Sequence, residues 1–131
     1  MKTKTIIAFS LFLLAAFSGL CLARSDTQFY RSDKCVCWAD AGTLTQIDGS
    51  VYEIWLTVDF LDGSAPDTTI IARVDMGDHS YNRQRMFIWD GPKEVDLPMD
   101  DAEKWYVIQP GSMDEALYDF IYETLRRRGK I

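Results

Sequence analysis

The sequence predicts an α+β domain, an antiparallel β-sheet of about five strands with one C-terminal α-helix packed on it. Three observations carry this reading. Val51 to Leu61 alternates apolar and polar residues with period two, Asp-Gly and Gly-Asp dipeptides punctuate the chain as turns, and residues 112–129 hold a capped amphipathic helix.

Ahead of the domain stands a segment of a different kind. Lys2 and Lys4 precede an uncharged run from Ile6 to Leu22, and Cys21-Leu22-Ala23 places small residues at −3 and −1 of a cut between Ala23 and Arg24. These are the three parts of a secretory signal peptide, so residues 1–23 are expected to be removed on export and 24–131 to remain as a single domain. The rival readings are an uncleaved anchor, for which the run is short, and lipidation of Cys21, which the bulky Leu20 before it disfavours. Lys2 and Lys4 leave with the signal, so 14 basic residues become 12 against 20 acidic, a net charge of −8 instead of −6. Such a surface repels phosphate backbones and anionic lipid headgroups, which counts against nucleic acid and peripheral membrane binding.

In the mature chain, Arg24 to Thr27 is expected to be a short mobile start. Phe29 to Trp38 reads as an extended stretch carrying both remaining cysteines. Leu44 to Ile47 pairs back through the Asp48-Gly49 turn onto the Val51 strand. That strand places Tyr52, Ile54, Leu56, Val58 and Phe60 on the core face. Glu53, Trp55, Thr57 and Asp59 point the other way. Thr68 to Met76 alternates again, with Ile70, Ala72, Val74 and Met76 set against Thr69, Ile71, Arg73 and Asp75. Gly77-Asp78 turns the chain into Ser80 to Trp89, and simple alternation puts Tyr81, Arg83, Arg85, Phe87 and Trp89 on one face. Residues 93–104 are acidic and expected to be irregular, and Trp105 to Ile108 is a short edge strand.

The last helix is the best-marked element. Ser112 and Glu115 have capping-box spacing, with the glutamate expected to reach the Ser112 amide. Asp114, Glu115 and Arg126 to Arg128 complement the helix dipole. Met113, Ala116, Leu117, Phe120, Ile121, Thr124 and Leu125 form one apolar stripe, and Gly129 fits the C′ position.

No catalytic constellation stands out, and no cofactor or metal is expected. His79, the one histidine, lies beside Asp78 at a turn, where exposure is the plain reading. Cys35 and Cys37 share a strand face at a spacing at or beyond the limit for an unstrained disulfide. Two buried thiols are the leading reading, with an intermolecular disulfide, a strained local one or a metal pair as alternatives. Asp96, Asp100, Asp101 and Glu103 read as a solvated acidic loop rather than paired catalytic carboxylates or a calcium site. Trp55 is the aromatic that core packing does not explain, because it falls on the polar face between Glu53 and Thr57. With Tyr81, Arg83 and Arg85 on a neighbouring strand it makes a candidate binding patch, since tryptophan and arginine are favoured interface anchors.

Three segments together resemble the surface-adhesin protein E-like family of small exported bacterial proteins. They are Tyr52-Glu53-Ile54-Trp55-Leu56-Thr57, Tyr81-Asn82-Arg83-Gln84-Arg85, and Trp105-Tyr106-Val107-Ile108-Gln109-Pro110-Gly111-Ser112 leading into Glu115-Ala116. The resemblance also takes in Trp38 to Leu44 and covers roughly residues 35–125. It implies an antiparallel sheet with a C-terminal helix and a cell-surface or periplasmic binding role without enzymatic activity. It further implies a protein partner outside the cell. The resemblance also implies a bridged pair of cysteines in many family members, at places where this chain has Met76 and residues such as Ile121 or Tyr122.

The expectation is therefore an exported, non-catalytic binding protein that is periplasmic, cell-surface or secreted, with a protein partner and room for a homodimer. The competing class is a small periplasmic inhibitor or immunity-type protein using the 93–104 loop. A small hydrolase ranks third and would need His79 in a cleft with a carboxylate and a nucleophile.

Overall fold

The structure is a computed structural model that describes residues 26–131. The signal peptide at 1–23, its cut between Ala23 and Arg24, and Cys21 lie outside the described residues. Seven strands form one sheet: β1 (Asp26–Arg31), β2 (Cys35–Asp48), β3 (Val51–Phe60), β4 (Thr68–Asp75), β5 (Ser80–Asp90), β6 (Lys93–Asp96) and β7 (Tyr106–Val107). One helix, α1 (Met113–Arg127), follows. The first six strands pair antiparallel in chain order, a meander, and β7 pairs with β5 at Ser80 and Tyr81.

The α+β class holds, but the sheet has seven strands and not about five. The stretch from Phe29 to Trp38 is two strands, because Ser32 turns the chain. Its hydroxyl accepts from the amides of Lys34 (3.1 Å) and Cys35 (3.2 Å). Asp26 and Thr27 belong to β1, not to a mobile start, and pair with Asp40 and Ala39. The arm at Leu44 to Ile47 is the continuation of β2. Lys93 to Asp96, expected to be irregular, pairs with Phe87 to Asp90 of β5.

One sheet face carries the main core. Cys37, Ala39, Ile54, Leu56, Val58, Ile70, Ala72 and Val74 lie against Leu117, Ile121 and Leu125 of α1, all buried. Each buried aliphatic side chain of Val, Leu or Ile size contributes about 1.5–3 kcal/mol before conformational entropy is subtracted, which makes this face the main stabilising layer. The inward set read from β3 is the one observed, and on β4 the set that turns inward is Ile70, Ala72 and Val74, with Thr68 at its start. The helix is tied at both ends. Tyr118 donates to the Met76 carbonyl at 3.0 Å, and the Arg128 guanidinium donates to the Ala41 carbonyl at 2.8 Å.

The caps explain where α1 starts and stops. The Glu115 amide donates to Ser112 Oγ at 3.1 Å as the capping box requires. The glutamate, however, accepts from the Gly111 amide at 2.8 Å, one residue earlier than expected. The Ser112 amide turns instead to the Gln109 carbonyl. At the other end Gly129 has φ 71°, its amide reaches the Arg126 carbonyl, and the Lys130 amide reaches Leu125, a complete Schellman motif.

Strand β5 departs from simple alternation. The register runs Ile71 to Arg85 and then Ala72 to Arg83, so Gln84 has no partner of its own and forms a β-bulge. One extra residue reverses the facing of everything before it. Arg85 and Phe87 therefore lie on the face away from the helix. Tyr81 and Arg83, paired with Val74 and Ala72, lie on the helix side.

Candidate functional site

The bulge divides the four residues singled out as a patch. Trp55 and Arg85 share the helix-free face, each paired with Ile71. Tyr81 and Arg83 do not join them. Tyr81 packs against the main core and lies near the Asp114 carboxylate at the start of α1. The Arg83 guanidinium lies 5.1 Å over the Tyr81 ring and 3.8 Å from Asp101. Burial pushes the Asp114 carboxyl up, while Arg83 and Tyr81 pull it back down. This trio anchors the helix start to β5. The expected four-residue surface is corrected to two pairs on opposite faces.

The helix-free face is built row by row. In one row stand Asp40, Trp55, Ile71 and Arg85; in the next, Trp38, Thr57, Thr69, Phe87 and Asp96. Phe87 is fully buried, although no helix of the described residues covers it. Trp55 meets it edge-on at 6.0 Å and Trp89 at 5.7 Å, and the Arg85 guanidinium lies over its ring at 4.3 Å. Arg85 is in turn held by Asp96 (2.6 Å) and Glu94 (2.9 Å) of β6. This face thus has a small aromatic core of its own. Arg85 is committed inside it and is not free to anchor a partner.

Between the two tryptophans lies a cavity of about 470 Å³. Its floor is the cross-strand pair Thr57 and Thr69, whose short side chains leave the space, and its walls are Trp55 and Trp89. Asp40 and Thr43 form one rim. They belong to an irregular stretch of β2 where pairing breaks between Asp40 and Thr45. Asp40 accepts from the Gly42 amide at 3.0 Å, and the Thr43 hydroxyl stands in for a strand carbonyl by accepting from the Trp55 amide at 2.9 Å. Asp67, just before β4, forms part of the lining as well. Partial burial and then the neighbouring Asp59 carboxylate push Asp67 above the ordinary carboxylate value. Its lining holds no histidine, cysteine or basic residue.

Trp55 was legible from its place on a polar face. Asp67 and Asp40 were not, because each reaches the cavity through the end or irregularity of a strand that periodicity does not mark. Trp89 was legible only as one member of a strand face that the bulge rearranges.

The remaining candidates lie elsewhere. His79 is exposed at the β4–β5 turn and stacks on Tyr118 at 4.1 Å. Cys37 is buried and Cys35 half-buried, both as free thiols with sulfurs 4.0 Å apart, and Cys37 points at the Met113 sulfur at 3.3 Å. Burial, followed by Cys35, pushes the Cys37 thiol up to about 12. Among the described residues no group of three or more His, Cys, Asp or Glu converges as a metal site would. The acidic loop is partly spent on structure, Asp96 on Arg85 and Asp101 on Arg83. Comparison with known proteins gives no match, whether to a family model, a curated protein or a solved structure.

Proposed function

We propose that the chain is an exported, non-catalytic binding protein that contacts an extracellular or cell-envelope protein through the helix-free face of its sheet. The observation that carries this reading is the aromatic surface around the cavity. Trp89 is 53% exposed and Trp38 36% exposed on the face that no element of the described residues covers. Tryptophans left in solvent beside a concave site are unfavourable for a lone protein and useful as interface anchors. The signal-like segment at 1–23 supports export, and the −8 charge of the mature chain supports a partner other than nucleic acid.

Kinship with the surface-adhesin protein E-like family is part of the proposal. Met76, at one place where that family carries a cysteine, lies beside α1, with Tyr118 donating to its carbonyl. The arrangement suits a fold in which a strand end and the helix are bridged in some members. The inhibitor or immunity-type reading loses ground. Its 93–104 segment begins as strand β6, and the Glu103 amide donates to the Arg83 carbonyl at 3.3 Å, so the segment is held against β5.

The test starts with protein purified after export, whose N-terminal sequence should begin at Arg24. Immobilised protein is then exposed to cell-surface and extracellular fractions, alongside Trp55→Ala, Trp89→Ala and, as a control on the helix side, Arg83→Ala. Capture that both tryptophan variants lose and the Arg83 variant keeps is the expected result. A captured protein indifferent to both tryptophans removes the helix-free face from the function.

A further inference from the structure

We propose that the cavity between Trp55 and Trp89 is a subsite for a basic side chain of the protein partner, arginine in the first place. The inference rests on the binding-face reading above and adds the chemistry of what enters.

Three features of the cavity select a cation. Its walls are the indoles of Trp55 and Trp89, the aromatic side chain whose ring quadrupole attracts a guanidinium or ammonium most strongly. Both charged residues of its lining, Asp40 and Asp67, are carboxylates, and no residue of the lining is basic. Asp59 stands behind Asp67, so two like charges crowd one end, and an incoming cation relieves a repulsion already present.

The protein has already built this chemistry once on the same face. The Arg85 guanidinium lies 4.3 Å over Phe87 while Glu94 and Asp96 hold its nitrogens at 2.9 and 2.6 Å. The cavity offers the same combination of aromatic rings and two carboxylates near Phe87, with no cation in its own lining to complete it. Its volume of about 470 Å³ takes a whole arginine side chain, and the Thr57 and Thr69 hydroxyls at its floor can accept from a guanidinium fork. A neutral sugar could also stack on indole, but it would leave the crowded carboxylates without a counter-charge.

The probe is Nα-acetyl-arginine amide, titrated into the purified protein while the four indole N–H resonances are followed by NMR. Nα-acetyl-citrulline amide, the uncharged isostere, and a neutral hexose oligosaccharide are the comparisons. The arginine probe should shift Trp55 and Trp89 saturably, leave Trp105 in place, and bind about tenfold more tightly than citrulline. Asp67→Asn, a change at an exposed position that preserves shape, should weaken it about fivefold with an unchanged melting curve. Equal binding of citrulline, preference for the oligosaccharide, or an Asp67→Asn variant that binds as the parent does would each overturn the proposal. A partner captured through Trp55 and Trp89 by a protein that ignores the arginine probe sinks the cation subsite and leaves the binding face standing. Arginine binding without any captured partner does the reverse.

Discussion

At the scale of single residues, the two cysteines show how neighbours two apart acquire different chemistry. Cys35 lies half-buried beside the Ser32 hydroxyl, while Cys37 is buried against Met113. With its thiol pushed up to about 12 by burial, Cys37 stays neutral wherever the protein is folded at ordinary pH. Iodoacetamide at pH 8 should label Cys35 at least about tenfold faster than Cys37 in the native protein, with the difference vanishing in urea; peptide mass spectrometry reads this directly. The same shift has a stability consequence. Between the ordinary 9.0 and about 12, the unfolded chain releases the Cys37 proton and the folded chain keeps it. Stability therefore falls as pH rises through that window, and Cys37→Ala should flatten the alkaline limb of a urea-midpoint series against pH. Native labelling of Cys37 at the Cys35 rate would contradict this picture. What the sequence could say of the pair was their shared face; that one of them meets a methionine 76 positions away is a tertiary fact.

At the scale of elements, legibility follows how local the cause is. The helix was readable end to end because its signals, Ser112, the stripe from Met113 to Leu125 and Gly129, act within a few residues. Its one departure, Glu115 reaching Gly111 instead of Ser112, concerns which of two adjacent amides lies nearer, and spacing alone does not separate them. Ser112→Ala and Gly129→Ala should each cost about 1 kcal/mol, the first by orphaning the Glu115 amide, the second by forcing a side chain into φ 71°. The sites lie at opposite ends of the helix, so the double variant should lose the sum, as urea unfolding can measure. Strands β3 and β4 were readable for the same reason of clean alternation. Strand β5 was not, since a bulge is set by pairing with a neighbour, and its polar residues Arg83, Gln84 and Arg85 carry no hydrophobic phase to betray the shift.

At the scale of the molecule, the meander makes the two faces of the sheet unequal. The helix covers one, and the other is finished by three tryptophans, a buried phenylalanine and an ion-paired arginine. The edges are managed by charge. Strand β6 is exposed throughout and carries Lys93, Glu94 and Asp96, a pattern that discourages another copy from extending the sheet there. The class of the fold was legible because burying a sheet face under an amphipathic helix is the common solution for such a pattern. The candidate site was only half legible, because a cavity belongs to no single strand. It exists where a threonine of β3 faces a threonine of β4 between tall neighbours.

The bulge at Gln84 also governs how this gene can change length. Because Gln84 is the supernumerary residue, losing its codon would give a regular strand in which Met86 and Arg83 still face the helix and Phe87, Arg85 and Asn82 still face away. A deletion farther from the bulge, as at Asn82 or Phe87, would turn the residues between it and Gln84 to the opposite face. Deleting Gln84 should therefore yield a folded protein with both sheet faces intact, at the cost of the hydrogen bond its side chain gives to buried Asn82 at 2.8 Å. Deleting Phe87 or Asn82 should yield none. Comparative expression of the three one-codon deletions, scored by recovery of folded protein, would show whether β5 holds one place where inheritance can shorten the chain without rewriting what each side of the sheet presents.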